Sequence, residues 1–456
     1  MKIIQSSEFD SYWKNETFNT DDVKTEMTVK QIIAEVREKG DEAVKKFASQ
    51  FDKSSPHELE VSYAEAQCAL SALRETDPAL VEALELAARN IARFSARQKE
   101  QFSDFEFEMD SGLFTGQRVI PVQRAAAYIP AGRFPLFSSV LMCLIPAFCA
   151  GVDEIVLASP PAENGLPDRK ILAAAAIAYQ ISGGGKTLRL FAMGGAQAIA
   201  ALALGTESVP RVDVITGPGN KYVAAAKRIL FGEVGIDFIA GPTDILIITD
   251  RQAAAPAGLQ AHLQAADFVA ADMLAQAEHD PDARSRVLVP NSQFANEIIA
   301  AIERRLKTLS TAETARASLD AGGLIVIYQS KEEAIRIANV IAPEHLELQT
   351  KDDDSWIPFL KNYGSLFIGV FAAEALGDYS AGLNHTLPTS TSARFTGGLS
   401  VRHFLKTVTT LRCIHSTNGA GSEGFEKALK AAETLARAEG LEGHAQSALM
   451  RRFVME

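Results

Sequence analysis

The 456-residue chain has no apolar run approaching the ~18 residues that span a membrane, and Met1 to Ser6 carry no apolar stretch of the kind that directs secretion. Both absences predict a cytoplasmic protein with no membrane partner. Cysteine is scarce. Cys68, Cys143, Cys149 and Cys413 are scattered with no CxxC pair, which argues against a disulfide framework and against a thiolate zinc site. Basic charge is in deficit, with 45 Lys and Arg against 57 Asp and Glu and a formal net charge of -12. Nucleic-acid partners, which are bound through basic patches, are therefore disfavoured. No GxGxxG fingerprint is present. Ser182 to Thr187 looks like a phosphate loop, but Gln180 stands where its first Gly is required, so the stretch reads as a turn. There is no low-complexity tract and no repeat of fixed period.

What remains is a globular composition, 47% hydrophobic and 22% charged, long enough for two or three domains. Residues 1 to about 20 are polar apart from Trp13 and Phe18 and read as an arm. From Asp21 to Gln101 the period is helical, with Val29, Ile32, Ile33 and Val36 on one face and Gly40 as a stop. Phe105, Phe107, Met109 and Phe114 alternate around Asp110-Ser111-Gly112, which predicts a hairpin. Strand and helix then alternate. Strands are expected at Ala125 to Pro130, Glu154 to Ala158, Leu188 to Ala192, Val212 to Thr216 and Ile245 to Thr249. A second set follows at Ser285 to Pro290, Leu324 to Tyr328, Pro343 to Leu348 and Gly364 to Gly369. This rhythm predicts parallel sheets, with ligands gathered where strands end and helices begin.

The run Ala266 to Ala275 places Phe268, Ala271 and Leu274 at helical spacing and closes on Gln276-Ala277-Glu278-His279. On a helix Gln276 and His279 share a face, so an amide oxygen and an imidazole could bind one metal ion. A lone His in a last turn is more often a cation near the dipole's negative end. Other candidates outside helix interiors are Glu344, His345, Asp378, His385, Glu439 and His444. Gln276, His279, Asp378 and His444 would form a nitrogen- and oxygen-rich site suited to zinc or a neighbouring divalent metal. Glu344-His345 sets a carboxylate beside an imidazole for proton transfer. Eight His in a chain of this length also scatter into loops by chance, so the residues alone leave both readings open.

The chain resembles the histidinol dehydrogenase family over nearly its whole length. The matching stretches are Gly40-Asp41-Glu42-Ala43, Tyr128-Ile129-Pro130, Gly194-Gly195-Ala196-Gln197, Gly217-Pro218-Gly219-Asn220, Ala240-Gly241-Pro242, Gln276 to His279, Pro343-Glu344-His345-Leu346, Gly377-Asp378-Tyr379, Asn384 to Thr389, and Glu439-Gly440-Leu441 with His444. The resemblance implies oxidation of L-histidinol to L-histidine through the aldehyde in two NAD-dependent steps. It implies one zinc ion per subunit on Gln276, His279, Asp378 and His444, and Glu344 and His345 as the acid/base pair. Tyr128, Gln197 and Asn220 match positions that meet NAD. Thr243, Gln276, His279, His345, Asp378, His385, Glu439 and His444 fall at substrate-binding positions. The family is a homodimer whose C-terminal segment crosses to the partner, carrying Glu439 and His444 with it.

The expected fold is α/β, with two incomplete Rossmann-like parallel-sheet domains. Residues 1–26 would form the N-terminal arm. Residues 27–138 and 254–398 would build the domain with the metal and acid/base residues, residues 139–253 the NAD-side domain, and residues 399–456 a helical segment swapped in the dimer. Some positions depart from the family pattern: Ala131 and Phe134 where smaller residues are usual, Thr243-Asp244 for a Ser-Glu pair, His403 for Asp, and an Ala- and Gln-rich insertion from Arg251 to Gln264. Arg133 before a bulky aromatic resembles paralogs that oxidise other alcohols, notably sulfopropanediol 3-dehydrogenase, because a guanidinium suits an anionic substrate.

Overall fold

Two parallel six-stranded sheets organise most of the chain in a computed structural model that describes residues 1–16, 23–131, 135–250, 265–414 and 423–453. Arg133, Phe134 and the expected insertion at 251–264 lie outside the described residues. The chain divides into one unit of residues 1–96 and 123–404 and another of residues 97–122 and 405–456.

In the larger unit, the first sheet runs Lys2–Gln5, Leu324–Ile327, Arg284–Val289, Asp244–Thr249, His345–Gln349 and Ser365–Ile368, all parallel. Its four inner strands are buried almost throughout, which suits a parallel sheet covered on both faces. Ile245 and Ile247 face a core built from helices Ala265–Ala277, Ser292–Leu306 and Ala312–Gly322. Leu246 and Ile248 point the other way, toward helix Lys331–Ile341, Phe9 and Trp356. The second sheet runs Glu60–Val61, Thr187–Ala192, Glu154–Ser159, Arg124–Tyr128, Val214–Thr216 and Gly235–Ile236, parallel except at its first pair. Helices Val23–Lys39, Asp41–Phe51, Gly195–Leu204 and Lys221–Leu230 share one hydrophobic core with it.

The smaller unit is a three-stranded antiparallel sheet of Phe105–Asp110, Leu113–Pro121 and Leu405–Cys413 with helices Glu423–Ala438 and Glu442–Phe453. The hairpin turns at Ser111-Gly112, as its alternation predicts. Between the two helices Gly440 takes φ +77°, and Leu441 N donates to Ala436 O at 2.8 Å while Gly440 N donates to Arg437 O at 3.0 Å. That reverse turn needs a residue without a Cβ.

The parallel α/β class agrees with expectation, but strand membership differs from the expected boundaries. Arg124–Tyr128, expected with residues 254–398, is central in the other sheet. Asp244–Thr249, expected with residues 139–253, is central in the first. Within the expected arm, Lys2–Gln5 is an edge strand of the first sheet and Phe9 is fully buried. Alternating hydrophobicity marks a strand without saying which sheet it joins, because strands of both sheets carry the same two-sided apolar pattern. Among the described residues, no helix is long and apolar enough to cross a membrane.

Candidate functional site

Glu344 and His345, the expected acid/base pair, sit at the amino edge of the first sheet, not at the carboxyl edge that the alternating rhythm predicts. His345 opens strand His345–Gln349, and Asp244 opens its neighbour, with Ile245 level with His345. Helix Ala265–Ala277 ends near Gln276 and brings its C-terminal turn to Thr243 on the same edge.

Glu344 is held from both sides. The Thr243 hydroxyl donates to its Oε2, Asp244 N donates to the same oxygen at 3.1 Å, and Glu344 N donates to Asp244 Oδ1 at 3.1 Å. Asp244 Oδ2 in turn accepts from the buried Arg286 Nη1 at 3.0 Å. Burial pushes the Glu344 carboxyl up to about 7, against the pull of the neighbouring His345.

His345 is buried among carboxylates. Its Nδ1 lies 3.3 Å from Glu374 Oε1 and 3.9 Å from Glu344 Oε2, and its Nε2 lies 3.4 Å from Asp378 Oδ1. Burial alone would lower this imidazole, but Glu374, Glu344 and Asp378 outweigh it and hold it well above the usual histidine range. Burial lifts Glu374 to about 8, while contact with His345 keeps Asp378 low in spite of its own burial. Asp378 stands in a π-helical turn, Leu376–Ser380, closed by Ala381 N donating to Leu376 O at 2.7 Å. Such wide turns recur at functional sites.

The fully buried Gln276 carboxamide links this group to Glu344. With its nitrogen toward Glu374 it donates to Oε1 at 2.6 Å and Oε2 at 3.2 Å, and its oxygen contacts Thr243 Oγ1 at 2.7 Å. The helix stops at Ala277, so His279 lies just past its end rather than on a continuing helical face. Its Nδ1 is 2.9 Å from Ala275 O. Since a carbonyl only accepts, Nδ1 carries the proton and Nε2 is left with its lone pair, the tautomer a metal requires. His279 is also close enough to help hold the Asp378 carboxyl low.

Sequence reasoning missed Glu374. One ligand atom from each of His345, Glu374 and Asp378 lies within 4.8 Å of the others, a spacing that could hold a metal ion. Glu374 stands four residues before Asp378, but the intervening Ala375-Leu376-Gly377 reads as plain loop and hides the pairing. Glu347, Asp272 and Gln349 form a buried layer behind it: Glu374 N donates to Glu347 Oε1 at 3.0 Å, and Gln349 Nε2 to Glu347 at 2.9 Å and Asp272 at 3.0 Å.

His385 is bonded at both ring nitrogens, Nδ1 to Asp378 O at 2.8 Å and Nε2 to Ser139 Oγ at 2.8 Å. It thereby fixes the Asp378 turn to helix Phe137–Ala150. Glu439 and His444 belong to the smaller unit, where both are exposed and line a groove of about 390 Å³ between its helices.

The three remaining candidates share one cavity of about 620 Å³ at the carboxyl edge of the second sheet, where strand ends and helix starts meet. Tyr128 ends its strand, and its buried hydroxyl accepts from Gly195 N at 3.1 Å; burial raises it to about 12. Gln197 is buried in the first turn of Gly195–Leu204. Asn220 caps Lys221–Leu230, its Oδ1 accepting from Tyr222 N at 3.0 Å and Val223 N at 3.2 Å, which leaves its amide nitrogen for a ligand. Two helix N-termini at one cavity, with their free N–H groups and positive dipole ends, suit a ligand carrying phosphates.

The family model described as histidinol dehydrogenase matches residues 15–452. The histidinol dehydrogenase of Pseudomonas aeruginosa is 42% identical over 423 residues, covering 93% of this chain and 90% of that protein. That of Aquifex aeolicus is 41% identical over 429 residues, covering 94% and 92%. The crystal structure of histidinol dehydrogenase from Elizabethkingia anophelis superposes with a TM-score of 0.87 at 32% identity, covering 100% of this chain and 98% of that one.

Proposed function

The chain belongs to the histidinol dehydrogenase family, and from that premise we propose that it is a zinc- and NAD-dependent dehydrogenase that oxidises L-histidinol to L-histidine through L-histidinal. The observation that carries the reading is the buried Glu344–His345 pair, anchored through Thr243 and Asp244 and set against Glu374 and Asp378.

The donors fit a divalent cation. Asp378 Oδ1 is buried, makes no contact closer than the 3.4 Å to His345 Nε2, and is held as a carboxylate. His279 presents a lone pair, Gln276 would supply its amide oxygen in the orientation that turns its nitrogen to Thr243, and His444 of the partner subunit would complete a four-ligand set without thiolate. Bound there, zinc would orient the imidazole and hydroxyl of the substrate and stabilise alkoxide charge. NAD would occupy the cavity at Tyr128, Gln197 and Asn220 and accept the hydrides.

His345, which a divalent cation on Asp378 would return toward its neutral form by offsetting the carboxylate charge, takes the hydroxyl proton in the first oxidation, from a position fixed by Glu374 at Nδ1. Glu344 takes a proton from the water that attacks the aldehyde, and its raised affinity for protons makes it an effective base near neutrality. Thr243 holds the Glu344 oxygen in place. His385, with both nitrogens engaged, acts on the substrate side by keeping the Asp378 turn fixed. Glu439 would reach the substrate across the dimer together with His444.

The names of the relatives favour L-histidinol over a sulfonated diol. Steady-state NADH formation tests this. Two NADH per L-histidinol, with no turnover of dihydroxypropanesulfonate, is the expected result. Turnover of the diol alone would replace the substrate, and turnover of neither would remove the proposal.

A further inference from the structure

Gly217, which follows strand Val214–Thr216, is gripped by a buried ion pair that no step above uses. Lys227 Nζ donates to Gly217 O at 2.8 Å, and Asp237 Oδ2 accepts from Gly217 N at 2.8 Å. The two side chains close on each other, Lys227 Nζ to Asp237 Oδ1 at 2.5 Å, and both are almost wholly buried. Asp237 Oδ1 also accepts from Phe238 N at 2.7 Å. Both backbone polar groups of one loop residue are thus satisfied by one charge pair.

Gly217 has φ +110°, and a Cβ there would lie 2.1 Å from Tyr128 O. No side chain of its own can therefore steady this turn, and it presses directly on the backbone of a cavity wall. The residue before it is tied as well, Thr216 Oγ1 donating to Ala126 O at 3.0 Å. Three residues on, Asn220 forms another wall of the same cavity and caps the helix that carries Lys227. A shift of Gly217 would move Tyr128 and Asn220 together.

We infer that Lys227 and Asp237 are positioning residues for the dinucleotide cavity, clamping Gly217 so that Tyr128 and the Asn220 turn keep the spacing the cofactor needs. A charged pair in so dry a place gives little net stability compared with apolar side chains of similar size. Its distinctive product is two directed bonds to an irregular backbone. The inference rests on reading this cavity as the NAD site, and the test separates the two.

NAD affinity is measured by calorimetry on metal-loaded protein, beside KM for NAD, KM for L-histidinol and kcat. Lys227→Met and Asp237→Asn should each weaken NAD binding about tenfold or more, with kcat at saturating NAD and KM for L-histidinol within about threefold. The double variant Lys227→Met/Asp237→Leu removes both charges and guards against a single variant that fails to fold. It should recover thermal stability while NAD affinity stays low. Wild-type NAD affinity in the folded double variant would reduce the pair to a stability element and overturn the inference. Gln197→Ala reports on the cavity itself. If it leaves NAD affinity unchanged, the cavity reading falls; if it weakens NAD binding while the clamp variants do not, only the clamp falls.

Discussion

Glu374 Oε1 stands 3.3 Å from His345 Nδ1 and, with the amide nitrogen turned toward it, 2.6 Å from the Gln276 carboxamide, so one carboxyl orients both the proposed proton acceptor and a metal-ligand candidate. Glu374→Gln keeps the shape but weakens both contacts. Zinc affinity should fall roughly 10- to 100-fold, as it does when outer partners of a metal site are removed. Turnover at saturating zinc should still be depressed, with KM for NAD unchanged. Metal titration and steady-state kinetics on the same preparation read both effects.

Glu344 gives the reaction an acidic limb. Its carboxyl is pushed to about 7 by burial, and only the ionised form can take a proton from water. With L-histidinal as substrate, the rate should fall as pH drops through about 7 and level off above it. Glu344→Gln should abolish that limb and lower the rate by about 10²-fold or more, the usual contribution of a positioned base. A limb that survives in the variant would assign the ionisation elsewhere.

His279→Ala removes the imidazole whose Nδ1 is committed to Ala275 O. The purified variant should hold about a tenth or less of the wild-type zinc by elemental analysis, and excess zinc should only partly restore activity. Full zinc content would strike His279 from the ligand set.

Complementation tests the crossed dimer. His444→Ala and Glu344→Gln should each be inactive alone. If His444 serves the partner's site, equal mixtures refolded together should regain roughly a quarter of wild-type activity, because half the dimers are mixed and each has one intact site. No recovery in mixtures shown to exchange subunits would confine each site to one chain.

Much of this site can be read from residue order, and what cannot has physical causes. Helix Ala265–Ala277 announces itself through Phe268, Ala271 and Leu274, but Gln276 lies on the buried face of Ala266, Val269, Ala270 and Met273, while Phe268 and Ala271 are only half-buried. Glu344 and His345 are adjacent in the chain, so their proximity needs no fold. Glu374 is different. Its role comes from a buried contact with strand His345–Gln349, and nothing in Ala373-Glu374-Ala375 reports that partner. Lys227 likewise looks like the polar face of an amphipathic helix, yet it is buried because Asp237 waits at the end of a short strand. The reversal of edge has the same origin. Alternation specifies parallel strands, but helices run back against them, so the Gln276 end of its helix arrives at strand beginnings.

Lys2–Gln5 pairs in parallel with Leu324–Ile327, so the first strand of the first sheet meets its hydrogen-bonded neighbour among the described residues more than three hundred residues downstream. During synthesis the second sheet, whose last strand ends at Ile236, can assemble while the opening segment is still unpaired. Lys2–Gln5 can pair only after residue 327 has left the ribosome, the sheet itself is complete only once Ser365–Ile368 has followed, and closing so long a loop sets a slow late step in folding. Deleting residues 1–5 should therefore remove the last strand to dock on that edge rather than the seed of the sheet, leaving early folding kinetics intact while baring the Leu324–Ile327 edge to association with other chains.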